Sequence, residues 1–246
     1  MTEEFLLYTL AGFVAQLIDG ALGMAYGVTA TSILLTAGVS PIAASATVHA
    51  AECFSTGASA LSHRAFGNIS KFLFRQLLLP GILGAMVGAY ILVSLPGDKL
   101  KPYIAAYLLV MGLIIFLKAF RQTPPHEVTT QLTPLAFFGA LLDAMGGGGW
   151  GPIVASNLIA RGNDVRETVG SVNAVEFFVT LASSAVFFAT LGLGNWPIIL
   201  GLALGGVLAA PLGAWACKRL PVKPFMTLVG VLIMLLSVRT LYRSLF

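Results

Sequence analysis

Asp19-Gly20-Ala21-Leu22-Gly23-Met24-Ala25-Tyr26-Gly27 recurs in altered form 124 residues later, as Asp143-Ala144-Met145-Gly146-Gly147-Gly148-Gly149-Trp150-Gly151. The match continues without a gap from residues 19–59 onto 143–183. It keeps Asp19/Asp143, Gly23/Gly147, Gly27/Gly151, Ser32/Ser156, Gly38/Gly162, Glu52/Glu176, Thr56/Thr180 and Ser59/Ser183. With small gaps it runs on through Gly88-Ala89-Tyr90 against Gly213-Ala214-Trp215 and Lys101-Pro102 against Lys223-Pro224. Aliphatic matches between apolar segments carry little information, but matched acids, glycines and prolines do. The chain therefore divides into two copies, residues 1–126 and 127–246, within a single transmembrane domain. Thr123-Pro124-Pro125-His126 forms the link, because tandem prolines cannot continue a helix.

The surroundings of these segments set the class. Hydrophobic residues make up 57% of the chain and charged residues 10%, whereas a soluble domain has about a quarter of its residues charged. Residues 77–95 and 103–117 carry no charge, and such runs match or approach the roughly 20 apolar residues that cross a bilayer. The expected fold is an all-α polytopic membrane protein, with the lipid bilayer as its main partner. Basic residues are scattered over loops, which excludes a nucleic-acid surface. The start, Met1-Thr2-Glu3-Glu4, is acidic and unlike a cleaved signal peptide. Cys53 and Cys217 have no metal-type spacing, so no metal site or cofactor is expected.

Each copy reads as a glycine-broken segment followed by three helices. The broken segments cover 5–37 and 132–160. The helices cover 42–61, 72–95 and 102–120, then 168–191, 196–217 and 224–242. A broken segment with a short second arm (28–37) fits a re-entrant hairpin, since irregular backbone at membrane depth must be covered by protein or water. Three crossings after a hairpin invert the second copy relative to the first. Under inversion the cytoplasmic side holds ten basic residues (64, 71, 75, 118, 121, 161, 166, 218, 219 and 223) and the outside four. Parallel copies would split them seven and seven, so the positive-inside rule favours inverted repeats with both termini outside.

Four of only ten acids, Asp19, Glu52, Asp143 and Glu176, interrupt the apolar stretches. Intramembrane acids mark ion or substrate paths, and duplicated ones at a repeat interface suit a secondary transporter. On the helix from residue 42, Ser45, His49, Glu52, Thr56, Ser59 and His63 recur at helical spacing as one polar stripe. Asn173, Glu176, Thr180 and Ser183 repeat it in part. Helix packing explains the hydroxyls about as well as function does, but a carboxyl costs more to bury than packing returns. A buried Glu that keeps its proton is what a proton-coupled carrier needs, with His49 one turn away as its partner. Asn173 takes that place in the second copy, so a relay would be asymmetric. The breaks at Gly23, Gly27, Gly147 and Gly151 expose backbone N–H groups and aim the positive end of a half-helix at an anion. A structural reading, in which Asp19 and Asp143 cap those half-helices and Gly serves close packing, stands beside it, and both can hold together. No Lys or Arg lies deep in a span, so an anion would depend on dipoles, hydroxyls, Asn173 and His49.

These features together, the glycine-broken opening, the twofold repeat and the Gly-rich middle, resemble the TauE/SafE sulfite-exporter family, also called the toluenesulfonate uptake permease family. The resemblance covers essentially the whole chain and rests on overall pattern. It implies a multi-pass protein of the bacterial inner membrane that moves sulfite or a small organosulfur anion. His49-Ala50-Ala51-Glu52 and Asn173-Ala174-Val175-Glu176 are more acidic than the Thr/Ser-rich stretch the family leads one to expect. Coupling to protons follows as the expectation, with a Na⁺ or divalent-cation transporter as the alternative, since oxygen ligands plus one imidazole suit such ions. An intramembrane hydrolase built on Glu52, Glu176, His49 and Asn173 is a weaker reading, because duplication serves it no purpose. The chain is therefore expected not to be an enzyme.

Overall fold

The computed structural model describes residues 2–120, 126–192, 194–217, 219 and 222–245. Residues 123–125 of the linker lie outside them. Among the described residues the fold is entirely helical. The first half contains α1 (Thr2–Leu22), α2 (Tyr26–Thr36), α3 (Pro41–Ala65), α4 (Lys71–Ser94) and α5 (Gly97–Lys118). The second contains α6 (Leu132–Gly146), a π-helical turn (Gly151–Ala155), α7 (Ser156–Ala160), α8 (Val165–Leu191), α9 (Trp196–Ala216) and α10 (Val222–Leu245). Each expected segment is present, and each broken segment is two arms around a glycine turn: α1 of 21 residues and α2 of 11 in the first, α6 of 15 residues and the π-helical turn with α7 in the second.

Local chemistry sets the boundaries. Ser40 accepts the Ala43 N–H, and Asp164, its counterpart 124 residues on, accepts the Glu167 N–H at 2.8 Å. Each N-cap satisfies a donor that the first helical turn leaves unpaired. Ser70 does the same for α4 through the Leu73 N–H. Gly38 and Gly162 follow α2 and α7 at φ 96° and 99°, a backbone region open to glycine at little cost.

Among the described residues, five helices are long and apolar enough to cross a membrane: Glu3–Leu22, Lys71–Ser94, Lys99–Lys118, Val165–Leu191 and Trp196–Ala216. α3 has 25 residues, but its polar stripe dilutes its hydropathy. The outward surface carries Leu6, Leu79, Leu83, Tyr90, Leu204, Leu208 and Leu235, while Asp19, His49, Glu52, Asp143, Asn173 and Glu176 are buried. Polar groups inside and large apolar side chains outside suit lipid rather than water.

The halves are interleaved. α1 packs along α9 and α6 along α4, α3 packs on both α8 and α9, α8 also packs on α4, and α5 packs on α10. Small residues set these distances. A methyl group on Gly84 would strike the Phe137 carbonyl, one on Gly88 the Leu141 carbonyl, and one on Gly205 the Thr9 carbonyl. The Gly84/Gly88 and Gly201/Gly205 spacings thus serve close helix contact, as small-xxx-small patterns do in membranes. Gly84→Val and Gly205→Val should each destabilise the protein by about 1–3 kcal/mol or more. A fall in detergent melting temperature checks this, with exposed Leu83→Val as the neutral control.

Candidate functional site

The two glycine breaks meet back to back at the centre of the bundle. A methyl on Gly27 would lie 2.7 Å from Gly148 Cα, and one on Gly148 would overlap the Gly27–Val28 backbone. Gly151, the counterpart of Gly27, abuts Gly23 and Met24 in the same way. The Thr31 hydroxyl reaches from α2 to the Gly147 carbonyl in the opposite break. Gly23, Gly27, Gly147 and Gly151 are therefore brought together: Gly27 and Gly151 allow close backbone approach, while Gly23 and Gly147 hold left-handed turns at φ 71° and 69° against Val169 and Thr31. Gly148, at φ 150°, belongs with them.

Asp19 and Asp143 each bridge their own break. Asp19 Oδ1 accepts the Tyr26 N–H at 3.4 Å, and Asp143 Oδ1 accepts the Trp150 N–H at 3.0 Å. The N-terminal end of each half-helix is thus already occupied by the chain's own carboxyl. Each aspartate caps its own half-helix through one N–H group. The aromatic residues at these positions are pinned as well: Tyr26 Oη donates to the Leu202 carbonyl and Trp150 Nε1 to the Val172 carbonyl, both at 3.1 Å.

The Glu-bearing helices α3 and α8 present their polar stripes to these breaks. Glu52 Oε1 lies 3.1 Å from where a Gly27 Cβ would be. Asp19 Oδ2, Glu52 Oε2 and Glu176 Oε2 are buried without a protein hydrogen-bond partner. Such groups are rare and costly in folded proteins, and each calls for an explanation. Thr56 and Thr180 give their protons to the Glu52 and Phe177 carbonyls of their own helices, so only their oxygen lone pairs face the site.

His49 and Asn173 occupy matching positions but do different chemistry. Asn173 takes the Ser59 proton on Oδ1 at 2.7 Å and donates Nδ2 to the Val169 carbonyl at 3.3 Å and the Asp19 carbonyl at 3.5 Å. His49 Nδ1 lies 2.8 Å from the Ser45 carbonyl, and its Nε2 lies 3.1 Å from Asp143 Oδ2. A carbonyl only accepts, so Nδ1 carries a hydrogen. Nε2 then meets the carboxyl either as N–H toward carboxylate or as lone pair toward carboxylic acid. Either way, the pair needs one proton beyond neutral imidazole and free carboxylate. His63 provides the contrast: Asn68 Nδ2 donates to its Nδ1 at 3.0 Å and its Nε2 donates to the Gly20 carbonyl at 2.9 Å, so the neutral ring is satisfied.

Several functional candidates were not singled out from the sequence. Gln16 is fully buried with both amide atoms unpartnered, and the Thr29, Ser32 and Tyr107 hydroxyls are also buried and unpartnered. Gln16 stands out as a lone amide in an apolar run, which is a usable signal. Tyr107 gives none, because its place against Gly146 and Gly149 depends on α5 packing beside the second break. Lys118 Nζ, at the end of α5, donates to the buried Ser156 hydroxyl at 2.7 Å. That hydroxyl donates in turn to the Pro152 carbonyl of the π-helical turn.

The sequence profile described as "Sulfite exporter TauE/SafE" matches residues 8–240. The chain belongs to the TauE/SafE family. Within it, the chain is 41% identical over 249 aligned residues to "Probable membrane transporter protein YtnM" of Bacillus subtilis (strain 168), covering 97% of this chain and 83% of that protein. It is 25% identical over 233 residues to "Probable membrane transporter protein ORF9" of Sinorhizobium sp, covering 90% and 87% respectively. This TauE/SafE member is thus a membrane transporter by family.

Asp143 makes a separable prediction. Asp143→Asn still accepts the Trp150 N–H and can donate to a neutral His49, so its melting temperature should stay near wild type. Asp143→Ala strands both partners and should cost about 1–3 kcal/mol. Tyr107→Phe, which removes an unpartnered hydroxyl, should leave the melting temperature unchanged or raise it.

Proposed function

We propose that this protein is a secondary transporter of sulfite or a small organosulfur anion, coupled to protons, in the bacterial inner membrane. The observation that carries the coupling is the His49–Asp143 pair, whose contacts require one extra proton. Family membership supports the substrate class, and the bacterial relatives support the location. The unpaired carboxyl oxygens of Asp19, Glu52 and Glu176 make these groups the ones that exchange protons or ions during the cycle. The anion would be held by neutral donors, Gln16 Nε2 and the Thr29, Ser32 and Tyr107 hydroxyls, which answers the lack of a deep Lys or Arg.

The inverted-repeat reading draws support from the packing. Counterpart helices make counterpart contacts: α1 on α9 mirrors α6 on α4, and α3 on α9 mirrors α8 on α4. The last turn of α2 meets α10 through Thr36 and Thr240, while α7 meets the end of α5 through Ser156 and Lys118. Each broken segment then returns to the end of the bundle where it began, as a re-entrant hairpin does. Substrate would bind near the midplane, between the breaks and the Glu-bearing helices.

The test is sulfite, sulfonate and cation flux in proteoliposomes with an internal pH dye. Anion-driven proton movement should be present in wild type and fall at least tenfold in Asp143→Asn, His49→Asn and the Glu52→Gln/Glu176→Gln double variant. Cation flux indifferent to anions would replace this reading with the Na⁺ or divalent-cation one.

A further inference from the structure

The two halves are not in the same state at their two ends. Where α3 begins, α8 ends and α9 begins, there is a crevice of about 370 Å³ lined by Ser40, Ala46, Thr47, Phe188, Gly192 and Asn195, among others. Immediately behind it, Phe187 packs on His49 with ring centroids 5.9 Å apart. The counterpart junction, where α8 begins, α3 ends and α4 begins, is shut. There the Ser70 N–H donates to the Ser171 hydroxyl at 2.8 Å, which donates back to the Ser70 carbonyl at 3.4 Å. Gly170 is pressed against Asn68, whose Cβ lies 2.8 Å from where a Gly170 Cβ would be.

These are matching positions. Thr47 and Ser171, Ala46 and Gly170, and Phe187 and His63 are each 124 residues apart, while Ser70 and Asn195, and Gly67 and Gly192, are 125 apart. At the shut end His63 is tied to the Gly20 carbonyl and to Asn68. At the other end its counterpart, Phe187, has no hydrogen bond to offer, and the Thr47–Asn195 pair faces the crevice. Equivalent positions thus line one open and one closed junction, and the Thr47–Asn195 pair has the hydroxyl and backbone groups that Ser171 and Ser70 use at the closed one.

We infer that the 370 Å³ crevice is the open mouth of the transport path, and that the Ser70–Ser171–Asn68 contact is the closed mouth at the opposite end. The anion enters over Thr47 and Asn195 toward His49 and the carboxyls. It leaves when Ser70 and Ser171 part and the Thr47–Asn195 side closes. The shut end carries Arg64, Lys71, Arg161 and Arg166, so it faces the cytoplasm under the positive-inside rule. This inference rests on the transporter reading and the two-copy alignment.

Thiol accessibility tests it without reference to any substrate. In resting protein, Asn195→Cys, on the exposed rim of the crevice, should react with an aqueous maleimide at least tenfold faster than its counterpart Ser70→Cys. Bridging Thr47→Cys to Asn195→Cys with a short bifunctional reagent should make a third substitution, Ser171→Cys, reactive. A Ser70→Cys/Ser171→Cys disulfide should abolish flux, and reduction should restore it. The single-cysteine variants control for Cys53, Cys217 and misfolding. Equal labelling of positions 195 and 70 at rest, or full flux through the 70–171 disulfide, overturns the inference. Accessibility that alternates in a protein moving no sulfur anion leaves the gate standing and removes the substrate assignment instead.

Discussion

The contact of two backbones at the centre, Gly27 on Gly148 and Gly151 on Gly23 and Met24, is the constraint on which the rest of the arrangement depends. It leaves no room for a side chain at the crossing, so the two broken segments approach as bare peptide. Peptide at that depth has to be paired or covered. Asp19 and Asp143 take the first half-helical N–H groups, Thr31 takes the Gly147 carbonyl, and Tyr26 and Trp150 close the sides. The long helices form a wall around this crossing. Their glycines at 84, 88, 205 and 213 bring that wall close to the first arms of the broken segments.

The proposed coupling rests on the places where the two halves differ. His49 stands where the other half has Asn173, and only the imidazole meets a carboxyl, that of Asp143, while the amide bonds to Ser59 and to backbone carbonyls. Gly149 stands where the other half has Ala25, and the space it leaves is filled by the Tyr107 hydroxyl. A strictly symmetric pair of halves would offer two equal sites and no reason to couple one proton to one passage. The proposed asymmetric proton seat, facing neutral hydrogen-bond donors, provides a route for an anion through a core without deep Lys or Arg.

Much of this was legible in the chain. The acids at 19, 52, 143 and 176 stood out because so few charges occur in the apolar runs, and helical spacing placed the stripe from Ser45 to His63 on one face. The helix cores followed from the apolar runs and the glycine breaks, while the ends set by Ser40, Ser70 and Asp164 came from the contacts, so α8 begins at Val165 and not at Thr168. The capping role of the two aspartates was one of two readings, and contacts decided it: a carboxyl seven residues before the N–H it binds depends on how tightly the turn closes. Gln16 and Tyr107 were passed over because polar atoms count as unpaired only once every neighbour is known.

The sequence by itself determined the class, the helices, the duplicated pattern and the family, because hydropathy, capping chemistry and recurring glycines act over a few residues at a time. The tertiary structure alone decided that His49 meets Asp143 rather than Glu52, that the two breaks touch, and that one junction is shut while its counterpart is open. Those outcomes depend on groups nearly a hundred residues or more apart reaching hydrogen-bond or van der Waals distance. No local pattern in the chain encodes that distance.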